Sequence, residues 1–406
     1  MVPRVARTES PYGTWASPLS AAAVAAAGLR LSTVHVDGED LYWLEGRPQE
    51  GGRSVLVRWR PDGSLTDLAP SDFNVRARVH EYGGGAFTVR NGIAYCSNFS
   101  DQRVYRVWPD HAPEPLTPEG CFYADFEVDA RRQRLMCVRE DHTREGSEPV
   151  NTVVALSLAG ERGRSEATTA GVILAAGADF YSTRRLNPDG SKLAWLSWRY
   201  PAMPWDGTEL WVADVDKGGA TANATRVAGG ERESIYQPGW SPDGTLYFAS
   251  DRDGWWKLYR SERSDRSVEP VVRNAPADAE FGRPEWVFGT ATWRCAGESR
   301  LVVSYTRDGR WRLGSVDLAS GILTDIAPDV QPHDWIAATS THAVVVGGFD
   351  AKPDAVVRVD LATGSLETLR IASTLELDSE DVSVAEPMLF QKRSREETEE
   401  LLKKFA

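Results

Sequence analysis

Between Leu41 and Ile371 apolar and polar residues alternate in short runs rich in β-branched and aromatic side chains, the pattern of strands that bury one face more than the other. LYWLEGR from Leu41, SVLVRWR from Ser54, IAYCSN from Ile93, RVYRVW from Arg103 and RLMCVRE from Arg134 open the series. TVVALSL from Thr152, KLAWLSW from Lys192, ELWVADV from Glu209, TLYFASD from Thr245, LVVSYT from Leu301, AVVVGGF from Ala343 and AVVRVDL from Ala355 continue it.

The punctuation between these runs also repeats. Pro-Asp-Gly recurs at Pro61, Pro188 and Pro242, and Ser320-Gly321 and Thr363-Gly364 follow strands that end in Val-Asp-Leu. Proline presets the first turn dihedral, aspartate bonds back to nearby backbone, and glycine accepts positive φ, so each string predicts a tight hairpin. A period of roughly 40 to 50 residues over about 330 residues predicts an all-β propeller of seven four-stranded blades. We place the propeller at residues 31–390. Residues 1–30 form a leading segment in which Ser17 as N-cap, Pro18 and Gly28 would bound a short helix, and residues 391–406 form a charged helical tail.

Composition narrows the function classes. A net charge of −13 disfavours a sequence-independent grip on nucleic acid or on an anionic membrane, and no apolar run approaches the roughly 20 residues needed to span a bilayer. The four cysteines, Cys96, Cys121, Cys137 and Cys295, form no CxxC pair and have no histidine at metal-ligand spacing, which suits a reducing, cytoplasmic setting without zinc or disulfides. Fifteen Trp, twelve Tyr and twelve Phe supply both core packing and material for a ligand cavity.

Five ordered strings carry a family resemblance. Arg78-Val79-His80-Glu81-Tyr82-Gly83-Gly84-Gly85 is the first, and Val138-Arg139-Glu140-Asp141-His142 with Glu148-Pro149-Val150-Asn151 the second. Met203-Pro204-Trp205-Asp206-Gly207-Thr208-Glu209-Leu210-Trp211, Ser250-Asp251-Arg252-Asp253-Gly254-Trp255-Trp256 and Arg283-Pro284-Glu285-Trp286-Val287-Phe288-Gly289 complete the set. Together they resemble the propeller of prolyl oligopeptidase family serine peptidases, of the acylaminoacyl-peptidase-like type. The resemblance implies a seven- or eight-bladed propeller that caps an α/β-hydrolase domain and filters access to its Ser-Asp-His triad. These residues contain no G-x-S-x-G nucleophile elbow; Gly239-Trp240-Ser241-Pro242-Asp243-Gly244 comes nearest and reads as a blade hairpin. Serine hydrolysis by this sequence alone is not expected.

Such propellers commonly read Trp-Asp-His-Pro-Asn-Met-Pro-Trp-Asp where this chain has Trp198-Arg199-Tyr200-Pro201-Ala202-Met203-Pro204-Trp205-Asp206. A re-purposed surface and drift after loss of a partner domain both predict this change. A propeller channel gathers inner strands and loops from every blade, so distant polar groups can converge there. His80, Glu81 and Tyr200 are the candidate proton carriers, and Tyr82, Arg139, His142, Trp198, Arg199 and Trp205 the candidate ligand contacts. A carboxylate beside His80 would tune its imidazole for acid–base work, but neighbours on a strand point to opposite faces.

Gly83 to Gly85 lack the Lys and Ser/Thr of a phosphate loop and read as a tight blade turn. Arg139 to His142 reads as an ion-pair network, so no metal and no cofactor are expected. Trp255-Trp256 reads as packing between blades. The expected function is a stand-alone binding propeller for an apolar or aromatic small molecule or a short peptide, with room for cofactor-free cyclisation or isomerisation. The alternatives are a gating or scaffold subunit of a separately encoded hydrolase, and a propeller with no activity of its own.

Overall fold

The structure is a computed structural model that describes residues 11–14, 17, 19–25, 28–158, 170–261, 267–375, 377–378 and 381–388. It contains seven four-stranded antiparallel sheets, each built from four consecutive strands in sequence order, so the expected seven-bladed propeller is found. Blade 1 spans Arg30–Asp67, blade 2 Phe87–Pro115, blade 3 Cys121–Ala175 and blade 4 Phe180–Gly229. Blades 5, 6 and 7 span Ile235–Pro270, Trp293–Asp325 and Gln331–Ile371.

The Pro-Asp-Gly strings form the expected hairpins for the expected reason. In each, the aspartate Oδ1 accepts the amide of the residue two positions on, Ser64, Ser191 or Thr245, at 2.9 Å, and the glycine takes φ of +82°, +72° or +85°. The core lies between blades rather than within one. Tyr42 and Leu56 of blade 1, Ala94 and Cys96 of blade 2, Met136 and Val138 of blade 3 and Leu193 of blade 4 belong to one buried cluster. Fully burying a side chain of this size contributes about 2 kcal/mol.

Every strand of blade 1 comes from one end of the propeller sequence and every strand of blade 7 from the other, so among the described residues no exchanged strand locks the ring. Side chains close it instead. Trp43 and Val55 of blade 1 pack with Val344 and Val356 of blade 7. Glu45, fully buried, accepts Arg370 Nε at 2.7 Å, Arg47 Nη2 at 2.9 Å and Trp43 Nε1 at 3.2 Å.

The leading helix covers only Ala21–Ala25, and its N-cap is Ser20, whose Oγ accepts the Ala23 amide at 3.0 Å. This corrects the cap at Ser17, which instead turns back on the Leu19 amide. Gly28 serves close approach to blade 7, since a Cβ there would stand 2.7 Å from the Ala372 carbonyl oxygen. The tail at 391–406 lies outside the described residues. No described helix is long and apolar enough to cross a membrane, and no described cluster of His, Cys, Asp and Glu could hold a metal ion.

The first strands carry a feature that alternation does not predict. Thr33, Asp125, Thr183 and Gln237 occupy the first strands of blades 1, 3, 4 and 5 with φ between +45° and +58°, each beside a slip in pairing register. These bulges bend the strands and re-aim side chains at the axis.

Candidate functional site: an aromatic pocket over a buried carboxylate

Three segments meet at one mouth of the channel: the turn at 78–83 leading into blade 2, the first strand of blade 4 with its loop at 198–204, and the segment 284–288 leading into blade 6. They enclose a cavity of about 130 Å³ walled by His80, Tyr82, Phe180, Trp198, Trp286 and Phe288. Phe180 and Trp198 stack with centroids 5.5 Å apart, and the His80 ring meets Phe180, Trp198 and Phe288 at 5.0, 5.6 and 4.8 Å. Tyr82 sets its edge against Trp286 at 5.5 Å. Such walls favour flat apolar groups, and their ring faces also favour cations.

The cavity holds a single carboxylate, Glu285. Ser182 Oγ donates to its Oε2 at 2.8 Å and Thr183 Oγ1 to its Oε1 at 3.0 Å. The bulge at Thr183 makes this possible: its amide donates to Asp125 at 2.8 Å, and Arg184, with no exposure, donates to the same oxygen at 2.7 Å. Burial pushes the Glu285 carboxyl up to about 7 and Asp125 adds to the rise, while the Ser182 and Thr183 hydroxyls and Arg185 oppose it. The group is therefore poised near neutrality, able to meet a cation as carboxylate or to donate a hydrogen bond as acid.

The glycine run forms the floor. Phe288 N donates to Gly83 O at 2.9 Å, Gly84 bridges Phe288, and Asp125 N donates to Gly85 O at 2.8 Å. A Cβ on Gly84 would stand 2.5 Å from the Phe288 oxygen, and one on Gly85 would stand 2.8 Å from the Phe288 Cβ. Gly83 and Phe288 line this cavity, whereas Gly85 and Gly289 line a second one toward the opposite mouth. The run is thus a septum across the channel between blades 2 and 6, where the sequence suggested only a tight turn within one blade.

The candidate residues divide. His80, Tyr82 and Trp198 come together in the pocket, and Trp205 braces its wall by packing on Trp286 at 4.3 Å. His80 and Glu81 do not form an acid–base pair. They lie in a turn rather than a strand, at φ of +57° and +64°, and the Glu81 side chain is 80% exposed. Burial pulls His80 down to about 4, so its ring is neutral aromatic wall. Arg139 is buried in blade 3, donating to Ala170 O at 3.3 Å, and His142 bonds Glu140 at 2.9 Å while its ring packs, tilted, on Phe122 at 4.0 Å.

Arg199 leaves the pocket to donate to Gly177 O at 2.6 Å, and Tyr200 is 80% exposed, its amide on Asp179 at 3.0 Å. Trp256 is buried as expected, but Trp255 is exposed. The sequence reading missed Glu285, Phe180, Trp286 and Phe288 as site residues. Three of them sit in the Arg283–Gly289 string, which carried the resemblance but held no local mark of its partners on blade 4.

No protein-family model matches the chain, and neither does any curated protein. Solved structures do. A puromycin-hydrolyzing peptidase from Mycobacterium tuberculosis is 37% identical with a TM-score of 0.84, over 92% of this chain and 58% of that one. A puromycin hydrolase structure is 32% identical with a TM-score of 0.83, over 91% of this chain and 58% of that one. Prolyl oligopeptidase B from Galerina marginata, at 14% identity and a TM-score of 0.62, shares the fold over 88% of this chain and 52% of its own. The chain thus spans rather less than two thirds of each of these proteins. The ordered sequence strings, the seven blades and these likenesses together place it in the prolyl oligopeptidase family of peptidases, as a propeller domain of that family.

Proposed function

We propose that this propeller recognises substrate for a puromycin-hydrolase-like peptidase, admitting an aromatic or apolar small molecule or the end of a short peptide to the pocket over Glu285. The observation that carries this reading is a lone carboxylate, raised toward neutrality, beneath aromatic walls. That combination suits a ligand with an aromatic group beside an ammonium. Puromycin, named for the relatives, joins an aromatic aminoacyl group with a free amine to a nucleoside. The nucleophile would come from a hydrolase domain working beside the propeller, because these residues contain no G-x-S-x-G elbow.

Cofactor-free cyclisation or isomerisation has weaker support. It would need His80 and Glu81 to act together, and they face different surroundings. Calorimetric titration of the protein with puromycin tests the binding reading. Binding that weakens at least about tenfold in Phe180→Ala and Trp286→Ala supports it, each truncation removing about 1.4 kcal/mol or more of contact. Absence of binding, or binding indifferent to both changes, would overturn it.

A further inference from the structure

Beyond the septum lies the second cavity, about 390 Å³, bounded by first strands of blades 1 to 6. Its charged lining sets two arginines against two carboxylates, yet among the described residues leaves one guanidinium unpaired. Arg185 from blade 4 and Arg294 from blade 6 both face it, as do Asp125 and Glu127 of blade 3 and His35 of blade 1. The two carboxylates are already engaged. Asp125 receives Arg184 at 2.7 Å and the Thr183 amide at 2.8 Å, and both oxygens of Glu127 take the Leu186 amide at 3.2 Å.

Arg185 donates to the Arg184 carbonyl at 2.7 Å, makes a long ion pair with Asp125 at 3.8 Å and lies in the field of Glu127. Arg294 reaches only the Trp293 carbonyl at 3.3 Å, and no carboxylate among the described residues pairs with it. His35 Nε2 is held by the Val89 carbonyl at 3.0 Å, and burial keeps the ring neutral. An enclosed guanidinium without a counter-charge is unfavourable, and beside a second guanidinium it is more so. Arginine's planar fork matches carboxylate and phosphate oxygens.

We propose that this lower cavity is an oxyanion site in which Arg185 and Arg294 together hold a ligand carboxylate or phosphate. The site is separate from the aromatic pocket and does not depend on the function assigned there. Its ligand enters from the mouth opposite Glu285, since the septum of Gly84, Gly85 and Phe288 stands between the two cavities.

The test is calorimetric titration of the full chain with N-acetyl-Gly-Gly as free acid, with its C-terminal amide, and with inorganic phosphate. Acetylation removes the ammonium that the Glu285 pocket would attract. The expected result is that phosphate or the free acid binds, that the amide binds at least about tenfold more weakly than the acid, and that phosphate and acid compete. Binding of phosphate but of neither acid nor amide assigns the site to free phosphate; the acid preference assigns it to peptide or small-molecule carboxylates. Arg294→Met and Arg185→Met should each remove the binding; Arg294→Met should leave the melting temperature level or higher, since it relieves repulsion between cations, whereas Arg185→Met also gives up the long ion pair with Asp125. The proposal is overturned if neither anion binds wild type, if acid and amide bind alike while phosphate does not compete, or if both folded variants keep wild-type anion affinity. Should Arg294→Met fail to fold, the wild-type comparison and Arg185→Met still decide.

Discussion

Replacing Gly84 with alanine probes the septum at its tightest point. The new Cβ would lie 2.5 Å from the Phe288 oxygen, 2.6 Å from its nitrogen and 2.8 Å from the Val287 Cβ, on a residue at φ +86°. Backbone atoms on both sides leave no flexible side chain to yield. The left-handed conformation costs alanine about 1–2 kcal/mol. Moving segment 287–288 away breaks the Phe288–Gly83 hydrogen bond, costing about 1 kcal/mol more, and overpacking adds about 1 kcal/mol. The sum is about 3–4 kcal/mol. Gly92→Ala supplies the control, because its φ is +74° but nothing lies within 4 Å of the added atom, so it should lose only the backbone portion. Urea unfolding followed by tryptophan fluorescence should separate the two variants by about 2 kcal/mol. Gly84→Ala should also weaken ligand binding above the septum, since Phe288 is pocket wall. Equal destabilisation by the two substitutions would refute the close crossing of the channel.

Other consequences follow from the same structure. Glu285→Gln should change how stability depends on pH. The folded carboxyl titrates near 7, above its ordinary 4.5, so the native state holds an extra proton between those values and wild-type stability falls as pH rises through that window. The slope is at most about 1.4 kcal/mol per pH unit, and thermal unfolding of the glutamine variant should lose this component. Glu45→Ala should cost about 3 kcal/mol, because it strips the buried acceptor shared by Arg370, Arg47 and Trp43 at the ring closure; faster limited proteolysis within blades 1 and 7 would register it. Cys96 and Cys137 are fully buried with their thiols pushed up, so thiol reagents should modify neither until the protein unfolds; labelling under native conditions would contradict their placement.

The middle strands of the blades were the legible ones. All twelve runs recognised by alternation are second or third strands, which pack against blades on both sides. First strands were obscured because bulges such as those at Thr33 and Thr183 break the two-residue period and place polar groups on the axis. Most fourth strands are short, down to Glu114–Pro115 in blade 2, too little for a periodic signal, and the longer Thr221–Gly229 of blade 4 is exposed along most of its length, with no apolar face to alternate. The site was half legible for a related reason. His80, Tyr82 and Trp198 stood out within strings that resemble a known propeller, but the role of Glu285 depends on hydroxyls roughly a hundred residues earlier, Ser182 and Thr183, aimed by a bulge that composition does not reveal. Arg199 and Tyr200 drew notice because their frame is intact, yet their bonds to Gly177 and Asp179 hold them outside the pocket.

On the proposed reading, Glu285 and the aromatic walls recognise an aromatic group carrying an ammonium. The most direct measurement is calorimetric comparison of phenylalanine amide with N-acetylphenylalanine amide at pH 8, where Glu285 is mostly ionised. The cationic amide should bind wild type at least about tenfold more tightly than its acetylated counterpart, and Glu285→Gln should erase the difference. Equal affinity of the two amides for wild type, or a preference that survives in Glu285→Gln, would contradict it.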